Sequence, residues 1–396
     1  MSESAKNTGK YKLLRITDIQ DNNVEWDKVP LTDYKVNKVE DYLLKSGDIL
    51  FARTGATVGK SYLVDHLPYS SIYASYLIRI RVSSTILSQY LKKFFESGFY
   101  WSQIVDNSLG IGQPNVNGTS LANLIIPLPP LNEQKRIIEE LVKWEGAYNK
   151  LEMNKREVVD LISQTKSKIL SLAIQGKLVE QDPADEPAID LLRRINPDFR
   201  PCDISHYLLK IPYGWCVARL EDLCSFISRG KSPKYSEKHI FPVFAQKCNL
   251  YSGGISLEHS RFLDPATLDK WPDIYKLKTG DILVNSTGTG TVGRTRLFHE
   301  SVLGKFPFVV PDSHISVIRS FDEIKSEYLY TVLASAHYQE YIENNLAGST
   351  NQKELYIGVL KDMEIPLPPL NEQKRIVAKI EELFTMLDVV KEQLTS

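Results

Sequence analysis

Long apolar runs are missing from this chain. The most apolar stretch is interrupted by Pro127, Pro129 and Pro130 far short of membrane-spanning length. The opening residues, Met1-Ser-Glu-Ser-Ala-Lys-Asn-Thr-Gly-Lys10, lack the apolar centre of a secretory signal, so the expectation is a cytoplasmic protein with no membrane attachment. Cysteine is scarce too. The four present, Cys202, Cys216, Cys224 and Cys248, all fall in the second half without a Cys-x-x-Cys or paired histidines, which argues for reduced structural thiols over a disulfide framework or a zinc site. Catalytic constellations are absent as well: no paired carboxylates, Ser/His/Asp order or His-Glu-x-x-His stands out, so nothing recommends an active site and no cofactor or metal is expected. Net charge is −1, which alone neither favours nor excludes nucleic acid. Between Arg219 and Arg319, however, fourteen Lys/Arg face ten Asp/Glu, a mildly basic region.

What is present is a duplication. Ile126-Pro-Leu-Pro-Pro-Leu-Asn-Glu-Gln-Lys-Arg-Ile137 recurs letter for letter as Ile365 to Ile376, 239 residues on. That displacement is far longer than a solenoid unit, so a whole domain is repeated together with the segment that the motif introduces. Both copies have the marks of a helix start. The prolines must lie outside, Asn132 or Asn371 suits the N-cap, and Glu133 or Glu372 places a carboxylate at the positive end of the dipole. From there Ile137, Leu141, Trp144, Tyr148 and Leu151, then Val158, Ile162, Ile169 and Leu172, alternate at four and three residues. Ile376, Ile380, Leu383, Leu387, Val390 and Leu394 repeat the register. A 3.5-residue period predicts a seam held against a partner helix, hence a coiled coil. The first helix is predicted from Asn132 to Gln175 with Gly176 just past its end, and the second from Asn371 onward.

Ahead of each copy lies a related domain. Lys45-Ser-Gly-Asp-Ile-Leu-Phe51 is answered by Lys278-Thr-Gly-Asp-Ile-Leu-Val284, and Leu77 to Arg81 by Ile315 to Arg319. Thr54 to Lys60 is answered by Thr287 to Arg294 with one residue more, and Leu109 to Gln113 by Gly348 to Gln352. Between these anchors the loops barely match, which suggests two related sites of different specificity. In the first domain a strand is expected at Lys12 to Ile16, a helix at Val36 to Leu44, a hairpin from Ile49 to Val64 and one aromatic-rich helix from Leu87 to Val105. The second domain opens on Gly214-Trp215, whereas the first begins near the equivalent of Lys231. An acidic linker, Glu180 to Pro187, and a short helix at Ala188 to Ile195 separate them.

The glycine-rich loops approach a phosphate-binding loop without completing it. Gly55 to Ser61 is one residue short, Gly288 to Thr295 lacks the lysine, and neither leads into a helix. Asn196-Pro-Asp-Phe199 is a turn in a linker rather than a methyltransferase motif. The side chains on and beside these loops suit nucleic-acid grooves. Arg15, Arg53, Lys60, Arg229, Lys231, Lys247, Arg294 and Arg296 are candidates for phosphates or guanines. Gln113, Asn115, Gln246, Asn285, Asn351 and Gln352 are candidates for adenine edges, with Thr17, Thr54, Thr57, Ser286, Thr287, Thr289, His314 and Ser349 beside them.

The duplicated Pro-Leu-Pro-Pro-Leu-Asn-Glu-Gln-Lys-Arg-Ile, each copy opening a heptad helix and preceded by a domain with Gly-Asp-Ile-Leu, resembles the specificity subunit of type I restriction-modification systems. Lys166 to Pro183 and Asp185 to Pro187 resemble that family's central conserved region. The resemblance implies an α+β fold: two related target-recognition domains separated by two long antiparallel coiled-coil helices with a pseudo-twofold repeat. The expected divisions are 1–130 for the first domain, 131–178 for its helix, 179–369 for the linker and second domain, and 370–396 for the second helix. It further implies a non-catalytic subunit that binds double-stranded DNA, methyltransferase subunits and restriction/translocase subunits. A coiled-coil scaffold binding protein or small ligands, and a nucleotide-hydrolysing enzyme, are the alternatives from other classes.

Overall fold

The computed structural model describes residues 8–33, 39–53, 58–106, 117–203, 211–288, 290–348 and 353–395. The chain forms two compact units, Met1–Met153 and Asn154–Ser396.

In the first unit Ile49–Ala52 is the central strand of an antiparallel sheet between Ser61–Leu63 and Leu77–Ile80. All four of its residues are buried because the sheet is covered on both faces, the alternation of side chains sending Leu50 one way and Ile49 and Phe51 the other. One face carries the aromatic cluster of Phe51, Phe94, Phe95 and Tyr100, and the other packs on Leu14, Trp26 and Tyr62. A second sheet joins Tyr11–Leu14 to Leu31–Thr32 and, in parallel, to Ser71–Tyr73.

The second unit repeats this plan and extends it. Ile282–Asn285 lies between Thr295–Leu297 and Ile315–Ser320, and a fourth strand, Cys224–Arg229, is added outside Ile315–Ser320. No described residue of the first unit takes that fourth place. Pro242–Phe244 pairs in parallel with Val310–Pro311 as Tyr11–Leu14 does with Ser71–Tyr73. This correspondence was hidden, because the two sequences share little.

Burial explains why Gly-Asp-Ile-Leu recurs. Asp281 is almost wholly buried, accepts from Lys278 N at 2.8 Å and receives both arms of Arg319 at 2.7 Å. Asp48 accepts from Lys45 N at 2.9 Å and from Arg81 at 3.1 Å in the same way. The carboxylate closes the turn before the strand and ties it to the strand alongside. Burial pushes the Asp281 carboxyl up, with the Arg319 guanidinium opposing that rise.

The duplicated motif is a docking device. Gln134 is buried; its Oε1 accepts from Leu87 N at 2.9 Å and its Nε2 donates to Thr85 O and Pro129 O. Gln373, also buried, accepts from Lys325 N at 3.0 Å and donates to Pro368 O at 2.9 Å. Each glutamine thus caps the start of its own domain's helix, Ser88–Phe94 or Ser326–Ala334, with a side chain from the long helix. Tyr90 and Tyr328 on those helices return a bond to the Pro127 and Pro366 carbonyls, each at 2.6 Å. Gln373→Ala leaves a helix-end N–H and a proline carbonyl buried without partners, so a loss of about 2–4 kcal/mol is expected in urea denaturation. An unchanged midpoint refutes the docking role.

The long helices span Leu131–Ile174 and Leu370–Thr395. They begin two residues earlier than an Asn cap requires. Pro130 accepts from Glu133 and Gln134, and Pro369 from Gln373, so proline stands at the cap and Asn132 and Asn371 lie inside. Gly176, at φ +64°, ends the first helix as expected. Within the second unit the helices run antiparallel: Ile169 and Ala173 share a core with Ile376 and Ile380, while Lys166 meets Asp388 at 2.6 Å. Leu383 and Leu387 pack partly buried on the same core.

Other expectations are corrected. The aromatic-rich helix of 87–105 is two helices, Ser88–Phe94 and Gly98–Asp106, because the chain turns at Ser97, whose hydroxyl bonds Phe94 O. Of the predicted helix 36–44, the described residues hold only a single 3-10 turn, Val39–Asp41. The seam is closed along part of its length only. Ile137 is half-buried, but Leu141 (36 %), Trp144 (71 %), Tyr148 (62 %), Leu151 (53 %) and Val390 (44 %) are exposed, since no described segment covers them. No helix among the described residues is long and apolar enough to cross a membrane.

Candidate nucleic-acid interface

The glycine-rich loops are hairpin tips. Gly59 (φ +81°) and Gly293 (φ +83°) turn the chain back into the next strand, and a Cβ there would press on Trp101 or Ile342. A strand follows each loop, Ser61–Leu63 or Thr295–Leu297, so the helix N-terminus that a phosphate-binding loop requires is missing.

In the second unit four segments meet at the tip and are fixed by polar side chains. Asn285 is fully buried and accepts from Asn249 Nδ2 at 2.6 Å, and Arg294 donates to Asn249 O at 2.7 Å. Gln246 Nε2 donates to Thr287 O at 2.7 Å, and Thr287 Oγ1 lies 2.8 Å from His314 Nδ1. Arg229 pairs with Glu354 at 2.6 Å and donates to the Ser286 and Leu355 carbonyls. Arg296 donates to the Thr295 and Leu250 carbonyls, and buried Ser286 bonds Ser316. Burial pushes the Asp312 carboxyl up, opposed by the His314 backbone N–H that it accepts at 2.9 Å. Four candidates therefore face inward. Arg229 and Arg296 donate to backbone carbonyls, while Asn285 and Ser286 are engaged by Asn249 and Ser316, so these four side chains shape the loops.

The outward rim consists of Lys247, His314, Thr287, Arg294 and Tyr251, the last 91 % exposed with Arg294 over its ring at 5.5 Å. Lys231 is drawn aside to Lys270 O and the Tyr275 ring. Sequence reasoning missed Tyr251, Asn249 and Glu354; an exposed aromatic two residues after an Asn was the only signal.

The first unit is sparser. Arg15 pairs with Asp18 at 2.7 Å, Thr17 and Lys60 are exposed, and Arg53 is half-buried. Lys60 opens on a cleft of about 370 Å³ with Trp101, Asn22 and Lys92. Burial lowers the Lys92 ammonium, which donates to Asn22 and Ser61 and pairs with Glu96 at 2.9 Å. Thr54, Thr57, Gln113, Asn115, Thr289, Ser349, Asn351 and Gln352 lie outside the described residues.

Two domains of one plan, each offering loop tips and followed by the same helix-opening motif, are the arrangement on which comparison with known proteins bears. The type I restriction modification DNA specificity domain matches residues 2–160 and 212–396. The chain belongs to that family. Among its relatives is the type I restriction enzyme EcoKI specificity subunit of Escherichia coli K12, 24 % identical over 97 % of this chain and 77 % of that protein. The MjaVIII specificity subunit of Methanocaldococcus jannaschii is 24 % identical over 89 % of this chain and 76 % of its own. In fold the chain resembles the HsdS subunit of Thermoanaerobacter tengcongensis, with TM-score 0.54 and 22 % identity over 97 % of this chain and 85 % of that one. A chain from a study of type I R-M complex assembly and conformational transition gives TM-score 0.61 at 22 % identity, over 97 % of this chain and 86 % of that one. Membership of the specificity family places both domains and both repeat copies within one scheme.

Proposed function

We propose that this chain is the DNA-recognition subunit of a type I restriction-modification assembly and reads a two-part duplex target. The domains at 1–130 and 179–369 each read one part, and the helices at 131–178 and 370–396 set the unread gap. The observation that carries this is the duplication of a hairpin-tipped domain whose framework repeats while its tips differ, with one unbroken helix, Leu131–Ile174, leaving the first domain. Half-sites about 34–36 Å apart lie one duplex turn from each other, a distance a helix of this length spans.

Lys247, Arg294 and His314 at one rim, and Lys60 and Arg53 at the other, supply phosphate and base contacts. Tyr251 supplies a flat apolar face. The chain itself does no chemistry: methyltransferase subunits dock along the exposed seam of Leu141, Trp144, Tyr148 and Leu151, and restriction subunits join them. The test is the methylome of a host with and without the gene. A split, adenine-methylated motif vanishes on deletion; an unchanged methylome removes this function and leaves the scaffold reading.

A further inference from the structure

The two units share a scaffold, and beside the hairpin tip they part. The pairing registers superpose Lys60, Ser61 and Tyr62 on Arg294, Thr295 and Arg296, since Leu50↔Tyr62 matches Leu283↔Arg296 and Ile49↔Leu63 matches Ile282↔Leu297. Against the tip glycines, Trp101 and Ile104 stand at Gly59 where Gln339 and Ile342 stand at Gly293. Arginine, arginine and glutamine in one unit are thus lysine, tyrosine and tryptophan in the other.

In the second unit these side chains close on the protein. Arg294 donates to Asn249 O at 2.7 Å, Arg296 to Leu250 O at 2.9 Å, and Gln339 to Leu333 O at 2.7 Å and Thr295 Oγ1 at 3.3 Å. In the first unit no described residue bonds the Lys60 ammonium or the Trp101 indole N–H. A cleft of about 370 Å³ lies between the hairpin tip and the turn at Asp21 and Asn22.

The walls of this cleft are fixed. Its floor is Leu50, Ala52 and Phe95, all buried. Asp21 (φ +49°) and Asn22 (φ +60°) form the two-residue turn between Ile19–Gln20 and Asn23–Val24. Lys92 ties that turn to the tip strand: its Nζ donates to Asn22 Oδ1 at 2.9 Å and Ser61 O at 2.8 Å, and it pairs with Glu96, which also accepts from Asn22 Nδ2 at 2.8 Å. Those partners occupy the Lys92 charge. Lys60, exposed at the mouth, is the lining cation left for a ligand to meet, and half-buried Trp101 is the aromatic wall beside it. An apolar floor, an indole and an open ammonium, in a volume within the roughly 300–1,000 Å³ of small-ligand sites, suit a planar heterocycle that carries a phosphate.

We infer that this cleft binds a single unstacked nucleotide, with its base against Trp101 and its phosphate at Lys60. Stacking on an indole accepts any base, because every base has a π face. The ammonium gives the phosphate a charge-assisted bond. Gln20 and Asp21, exposed on the turn and lining the cleft, offer acceptors to amino groups on the base edge. The nucleotide is either free or unpaired within a DNA strand, and in the second case this rests on the DNA reading and deepens it.

The experiment titrates the whole chain by calorimetry with dAMP, dTMP, dCMP, dGMP and inorganic phosphate, and by anisotropy with a labelled duplex carrying one unpaired nucleotide and with its fully paired counterpart. Mononucleotide binding at least about tenfold tighter than phosphate is expected for a free ligand, and tighter binding of the duplex with the unpaired nucleotide for a strand. In either arm Trp101→Leu weakens binding at least about fivefold by removing the stacking partner. Lys60→Gln weakens it by a smaller factor, and its exposed position leaves the fold intact. Mononucleotides no tighter than phosphate, together with equal binding of the two duplexes, overturn the inference, and so does binding that both variants leave unchanged. The methylome decides the DNA reading separately: an unchanged methylome beside mononucleotide binding leaves the cleft standing, and a motif that vanishes beside these negative results removes the cleft alone.

Discussion

Arg319→Met is expected to cost the second unit about 3–5 kcal/mol at neutral pH, because it strands the Asp281 carboxylate where water cannot reach it. The loss is largest for this pair because Asp281 also holds Lys278 N, and Arg319 also holds the carbonyls of Ile274 and Lys276. The deficit depends on pH with a definite sign. Burial already raises the Asp281 carboxyl and Arg319 opposes that rise, so removing Arg319 sends it further up. The folded variant then binds a proton that the unfolded chain releases, and its stability increases as pH falls from neutral toward the unfolded carboxylate range. Urea denaturation at pH 7.5 and pH 5 checks this: the gap between variant and parent narrows at pH 5, and a gap that widens contradicts the assignment. Arg81→Met costs less, since Arg81 is 43 % exposed and water screens its pairing with Asp48.

Inserting one heptad between Met153 and Asn154 is expected to change which DNA sites are modified. Seven residues lengthen the helix by about 10.5 Å while keeping the apolar register. Leu151 nearby is exposed and the insertion point lies between the two compact units, so neither core is disturbed. The expected methylome keeps both half-site sequences and lengthens the unread gap between them. A motif with its original gap would falsify the spacer role, and half-sites altered in sequence would show that the insertion had reached the recognition domains.

Several features were legible in the sequence because they rest on local rules. Proline clusters, the 3.5-residue period and Gly-Asp turns need no tertiary information, and the helices at Leu131–Ile174 and Ala188–Ile195 and the hairpin after Ile49 stand where those rules place them. The side chains of the loops were not legible. Asn285 and Lys247 are both polar residues on or beside glycine-rich segments, yet one is fully buried holding Asn249 and the other is exposed. Which way a polar side chain faces depends on the partners that the fold brings to the hairpin root, a tertiary property. The exposed seam has a similar origin. A heptad pattern says that Trp144 and Tyr148 suit a partner, while their exposure depends on which segment reaches them.

Gln134 and Gln373 grip their domains by main-chain atoms, Leu87 N and Thr85 O in one case and Lys325 N in the other. In these bonds the side chains of Leu87, Thr85 and Lys325 take no part. Positions 85, 87 and 325 can therefore change identity while the grip of each long helix on its domain is kept, which leaves the joint constant as the sequence around it drifts.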